Sequence, residues 1–151
     1  MMSAERSESE VMLEMLRNSR TIAVLGISDR PERASHGVAL YLRRYYTIIP
    51  VNPLLTVWEG EICYPGLTAV PPEVRIDLVN VFRRPEYVPA VVDEAIARGS
   101  PRLWLQQGIR HEAAAARARE AGLTVIMDAC IAVEHSALRH RGALTAERSQ
   151  P

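Results

Sequence analysis

Thr21-Ile22-Ala23-Val24-Leu25-Gly26-Ile27-Ser28-Asp29-Arg30-Pro31-Glu32-Arg33-Ala34-Ser35-His36-Gly37 is the stretch on which the fold turns. A short run rich in Ile, Val and Leu ends at a glycine and passes through a polar loop. Beyond it, Val38, Tyr41, Leu42 and Tyr45 fall at i, i+3, i+4 and i+7, which predicts a helix with Ser35 as its N-cap. The run before Gly26 shows no alternation of apolar and polar residues. A strand that is apolar on both faces belongs in a parallel sheet covered by helices on both sides.

Working outward, four more apolar runs repeat the pattern, at 47–51, 76–82, 102–106 and 123–127. Helical stretches alternate with them. Pro89 marks a first helical position, with Val91, Val92, Ala95 and Ile96 inward and Gly99 as the stop. An Ala-rich helix runs from about 111 to 121, and a last one from after Asp128 to about 139. A leading helix covers about 7–18, with Ser7 and Glu10 spaced as a capping box. Residues 53–72 form a longer connection with a small extended piece at 61–64. Such alternation predicts right-handed βαβ units in one α/β domain over 1–140. The expected architecture is a Rossmann-type, doubly wound, mainly parallel five-stranded sheet, followed by a loose polar tail at 141–151.

Composition narrows the function. The 151 residues are 48% apolar and 24% charged, the balance of a folded soluble domain. Basic and acidic residues number 18 each, so there is no basic excess of the kind that marks a nucleic-acid binder. Every basic residue is Arg. Without Lys the chain cannot be a P-loop NTPase, a Schiff-base enzyme or a biotin carrier. No apolar run approaches the roughly 20 residues of a membrane span, and the Glu-rich start is unlike a secretory signal. Cys63 and Cys130 are too few for a disulfide framework or a Cys-x-x-Cys site, so the expected compartment is the reducing cytoplasm.

Ligands of open α/β sheets bind beyond the carboxyl ends of the strands, where strand order reverses. After the first strand, Gly26 permits a tight turn, and a helix N-terminus offers N–H groups to phosphate. Ser28, Arg30, Arg33 and Ser35 add hydroxyls and guanidiniums to the same loop, although an ordinary βα turn with solvated arginines has this composition too. The loop departs from the dinucleotide fingerprint: Ser28 stands for its second glycine and Pro31 for its third. The second strand ends in Val51-Asn52-Pro53, with no carboxylate for a ribose hydroxyl. NAD is therefore disfavoured, while coenzyme A or NADP is permitted. Phe82, Arg83 and Arg84 end the third strand, where a ring and two cations suit a base and a phosphate. A core Phe82 with solvated arginines is an equal reading. Gln107 and Gly108 follow the fourth strand, and Trp104 belongs to the core.

Six stretches together resemble the coenzyme A-binding domain family, small stand-alone relatives of the N-terminal domain of the succinyl-CoA synthetase alpha subunit. They are VLGISDRPERAS from Val24, IIPVNP from Ile48, GEICYPGL from Gly60, IDLVNVFRRPE from Ile76, WLQQGI from Trp104 and VIMDACIAVEH from Val125. They follow the family's order and cover about 20–135. The resemblance implies coenzyme A or an acyl-CoA lying in an extended groove over the strand ends. It implies Gly26, Ile27 and Ser28 at the diphosphate, Asn52 and Pro53 near the adenosine, Phe82 and Arg83 beside them, and Gln107 and Gly108 toward the pantetheine. Three positions depart from the family pattern. Ala129 replaces an Arg, Leu54-Leu55 replaces a segment that often carries a basic residue for a ribose phosphate, which counts against tight 3′-phosphate recognition, and His111 stands where an Asn would cap a helix.

Little in the sequence suggests turnover. No metal-ligand spacing and no Gly-x-Ser-x-Gly elbow is present, and no catalytic residue is assigned. Cys130 could exchange with the ligand's thiol, but a core thiol is the commoner state of such a residue. The expectation is a non-catalytic coenzyme A-binding module, a sensor, carrier or regulatory unit, with a homodimer unsurprising. The alternative is an NADP(H)-binding redox enzyme or sensor. Redox-sensing repressors of this fold type carry a winged helix ahead of it, whereas about 20 residues precede the first strand expected at Thr21.

Overall fold

The computed structural model describes residues 5–144. Five strands form one parallel sheet: β1 (Thr21–Leu25), β2 (Thr47–Val51), β5 (Leu78–Val81), β6 (Arg102–Leu105) and β7 (Thr124–Ile126), in the order β2-β1-β5-β6-β7. The chain therefore winds outward from β1 in both directions. The reversal lies between β1 and β5, whose carboxyl ends flank a crevice. β3 (Val57–Trp58) and β4 (Glu61–Ile62) make a separate antiparallel hairpin within the connection from β2 to β5. Its two turn residues, Glu59 and Gly60, both have positive φ, as a tight hairpin requires.

Two apolar layers cover the sheet. Helices α3 (Val88–Arg98) and α4 (Glu112–Glu120) bury Val88, Val91, Val92, Ala95, Ala114, Ala115 and Ala118 against one face. On the other face, α1 (Glu8–Asn18), α2 (Ala34–Arg43) and α5 (Ile131–His140) bury Met12, Met15, Leu16, Ala39, Leu42, Ile131 and Leu138. The continuous runs of the sequence are thus covered on both sides, as expected. Ser7 caps α1 by accepting the Glu10 N–H on Oγ at 3.1 Å, but the reciprocal half of the expected capping box does not form: the Glu10 carboxylate accepts the Ser7 hydroxyl at 3.2 Å rather than the Ser7 N–H.

Several expectations need correction. Ser35 is not the N-cap of α2. Arg33 holds that position without a side-chain bond, and Ser35 is buried inside the first turn. The inward face of α2 is Ser35, His36, Ala39 and Leu42, while Val38 and Tyr41 are half-buried and Tyr45 lies past the helix end. The helix starts two residues earlier than a Ser35 cap implies and packs by its Ser35, His36, Ala39 and Leu42 face. Pro89 takes the second helical position because α3 begins at Val88. The third, fourth and fifth strands are shorter than their apolar runs. At the third, the Asp77 N–H still donates to Thr21 O at 2.9 Å, but its side-chain carboxylate accepts the N–H groups of Arg20 and Thr21 at 2.9 and 3.0 Å. The first residues of the expected tail are packed: Ala143 N–H donates to Leu138 O at 2.9 Å, and Ala143 and Leu144 rest on the second core. The remainder of that tail lies outside the described residues.

Candidate functional site

At the crevice, Gly26 ends β1 with φ +83, and its N–H donates to Val51 O at 2.9 Å. A Cβ here would lie 2.4 Å from the Phe82 carbonyl oxygen, so only glycine lets β1 and β5 run this close. The loop that follows is held from behind by several groups. Asn52 donates its amide to Ile27 O at 2.7 Å and accepts the Leu54 N–H at 2.8 Å. The Ser28 carbonyl accepts from Trp58 Nε1 and from His36 Nδ1, both at 2.9 Å. His36 Nε2 lies 3.2 Å from Glu59, so the hairpin braces the loop twice. The Arg43 guanidinium lies over the Trp58 ring at 5.6 Å.

These braces leave one open feature. α2 starts at the end of the loop with no side chain capping it, Ala34 and Ser35 of its first turn line the crevice, and no hydrogen bond among the described residues takes their N–H groups. Arg30 and Arg33 flank it, and neither guanidinium has an ion-pair partner among the described residues. The cleft has a volume of about 480 Å³ and is lined by Gly26, Ser28, Arg30, Arg33, Asn52 and Phe82, with Asp29, Ala34, Ser35, Leu54 and Leu55 completing it. An uncapped helix N-terminus with two unpaired guanidiniums suits a diphosphate, and the apolar Phe82, Leu54 and Leu55 suit a ring face.

Of the residues expected from sequence, Gly26, Ser28, Arg33, Ser35, Asn52 and Phe82 come together here. Ile27 is fully buried, and its carbonyl is taken by Asn52. Pro53 is exposed beside the cleft without lining it. The stem of Arg83 passes 3.2 Å from where a Gly26 Cβ would be, and its guanidinium sits over the Tyr87 ring at 4.5 Å. Arg84 is exposed at the start of the short turn before α3. Gln107 and Gly108 lie past the end of β6, two strands from β1, and do not line the cleft. Gly108 N–H is already engaged by Asp128 Oδ1 at 2.7 Å.

Sequence reasoning left Asp29 out of the site, named Leu54 and Leu55 only as a departure from the family pattern, and missed Trp58, His36 and Glu59 as its support. The joining signal is tertiary: Tyr64 pairs with Val51 and folds the hairpin back against the β1 loop. Cys130 is not in the core. It is half-buried at the N-cap of α5, where the Ile131 N–H donates to Gln106 Oε1 at 3.0 Å. Cys63 is the buried thiol, and burial pushes its pKa up. Among the described residues no cluster of three metal-ligating groups occurs, and no helix is long and apolar enough to cross a membrane.

The family model described as a CoA binding domain matches residues 20–136. The chain belongs to the CoA-binding domain family. Within that likeness, an uncharacterized protein of Bacillus subtilis named YneT is 43% identical over 131 residues, covering 86% of this chain and 95% of its own. A hypothetical protein of Pyrococcus horikoshii superposes with a TM-score of 0.83 at 31% identity, covering 91% of this chain and 99% of its own. A protein of Thermus thermophilus gives 0.80 at 35% identity, covering 87% and 99%. The expected doubly wound α/β sheet of this CoA-binding domain is thus shared with solved relatives of nearly the same length.

Proposed function

We propose that the chain binds coenzyme A or an acyl-CoA without turning it over. The observation that carries this is the uncapped start of α2 between Arg30 and Arg33, neither of which has an ion-pair partner among the described residues, at the reversal point of a chain in the CoA-binding domain family. Coenzyme A supplies a thiol for carrying acyl groups. The residues here hold it: the Ala34 and Ser35 N–H groups with Arg30 and Arg33 meet the diphosphate, and Phe82 with Leu54 and Leu55 covers the adenosine. The pantetheine then runs from the cleft over β5 toward Gln107 and Gly108. That path is about 10 Å across two strand spacings. A pre-braced loop reduces the ordering cost of binding. A cytoplasmic setting, where coenzyme A is a free thiol, suits this role, as does a homodimer.

An NADP(H) redox protein is the competing reading, and one experiment separates the two. Thermal unfolding is followed with coenzyme A, NAD and NADP, each saturating. A ligand at 100 times its Kd stabilises by about 2.7 kcal/mol, which for a chain of this size moves Tm by roughly 5–10 °C. Coenzyme A is expected to give that shift and the nicotinamide cofactors none. A shift with NADP alone would refute the proposal.

A further inference from the structure

The two walls of the cleft differ in what they can donate. The α2 wall carries Arg30, Arg33 and the open N–H groups of Ala34 and Ser35. The opposite wall, beyond β2, has its backbone donors already in use. Asn52 N–H goes to Tyr64 O at 2.9 Å, Leu54 N–H to Asn52 Oδ1 at 2.8 Å and Leu55 N–H to Asn52 O at 3.2 Å. Pro53 has none. The Asn52 amide nitrogen is turned to Ile27 O. Leu54, at 88% exposure, presents bare hydrocarbon to solvent. Between Arg44 and Arg75 the sequence has no basic residue at all, whereas Glu59 and Glu61 stand in the hairpin behind this wall.

In doubly wound folds the end of the second strand meets the ribose of an adenosine ligand. We infer that the site reads the adenosine 5′-diphosphate part of coenzyme A and does not select for its ribose 3′-phosphate. The inference rests on the coenzyme A reading above. A phosphate monoester carries nearly two charges at neutral pH and is recognised by guanidinium or N–H donors. At the β2 wall it meets leucine, with carboxylates beyond. The cations across the cleft sit at the α2 N-terminus, where the diphosphate is matched. Leu54 is therefore a specificity-determining position, and its hydrocarbon leaves the monoester in water.

Calorimetric titration of the full chain with coenzyme A, dephospho-CoA and ADP tests this. Coenzyme A and dephospho-CoA are expected to bind within about threefold of each other. Leu54→Arg, at a solvent-facing position, should tighten coenzyme A by about tenfold, the worth of one charge-assisted contact, and leave dephospho-CoA unchanged. A wild-type preference for coenzyme A of tenfold or more would overturn the inference. So would an Arg30→Ala variant that loses affinity for coenzyme A but keeps it for dephospho-CoA, since Arg30 would then read the monoester. If neither coenzyme binds the wild-type chain, the underlying coenzyme A reading fails instead, a result distinct from a preference between the two.

Discussion

Gly26 is constrained twice, by its positive φ and by the Phe82 carbonyl that any Cβ would meet at 2.4 Å. The sequence marks this glycine as a site of close approach but points to a ligand. The group that approaches is the chain's own β5, a neighbour visible only once strand order is known. Gly26→Ala is expected to cost about 3 kcal/mol or more by urea denaturation, from left-handed strain and overlap combined. An unchanged midpoint would show that β1 and β5 can separate freely. The cysteines differ in the same local way. Cys130, half-buried at a helix start, should take one equivalent of iodoacetamide in the native chain, while the buried Cys63 stays unmodified until denaturant is added. Peptide mapping that finds Cys63 modified first would contradict this.

Among elements, the sheet strands were legible because apolar runs covered on both faces have few other interpretations. Helix starts were harder. α2 begins at Ala34, where neither Arg33 nor any neighbour supplies a cap, so sequence rules for caps misplace it, and that missing cap is what leaves the crevice open. α4 shows the reverse. His111, a residue outside the usual capping set, accepts the Ala114 N–H on Nδ1 at 3.1 Å. His111→Ala should therefore lower stability by about 1 kcal/mol, and His111→Asn should restore it. Equal midpoints for the wild type and the Ala variant would remove the cap from the account. The β3–β4 hairpin was legible only as one extended piece. Its strands are two residues each and its Glu59-Gly60 turn is a weaker signal than Asn-Gly. Yet Trp58 from this hairpin holds the Ser28 carbonyl, so half of the loop's support was hidden.

For the whole molecule, stability should respond to acid through the buried imidazole of His135. His135, on α5 facing α2, is 2% exposed, bonded to the Tyr41 hydroxyl at 2.8 Å and in ring contact with Tyr45 and Tyr46. Burial first, then the nearby Arg139, pushes its pKa down to about 4. The unfolded chain takes up a proton near pH 6.5 and the folded chain does not. Stability from this group is thus complete above that range and lost as pH falls toward 4, by up to about 3 kcal/mol. Urea midpoints at pH 7.5 and 4.5 should show the drop, and His135→Gln should flatten it. Asp77 acts lower. Burial alone would raise its pKa, but the Arg20 and Thr21 N–H groups and Arg75 outweigh it, so its contribution is lost only as pH falls below the ordinary carboxylate range.

In the proposed function, coenzyme A is held at the uncapped start of α2 by Arg30 and Arg33. The most direct test is calorimetric titration of coenzyme A into the wild-type chain and an Arg30→Ala/Arg33→Ala double variant. Both side chains lie on the exposed loop, so the fold should survive their loss. The expected result is binding by the wild type, weakened tenfold or more in the variant, since each charge-assisted contact is worth about 1.5–3 kcal/mol. Equal affinity in the two proteins, or no heat from the wild type, would contradict it.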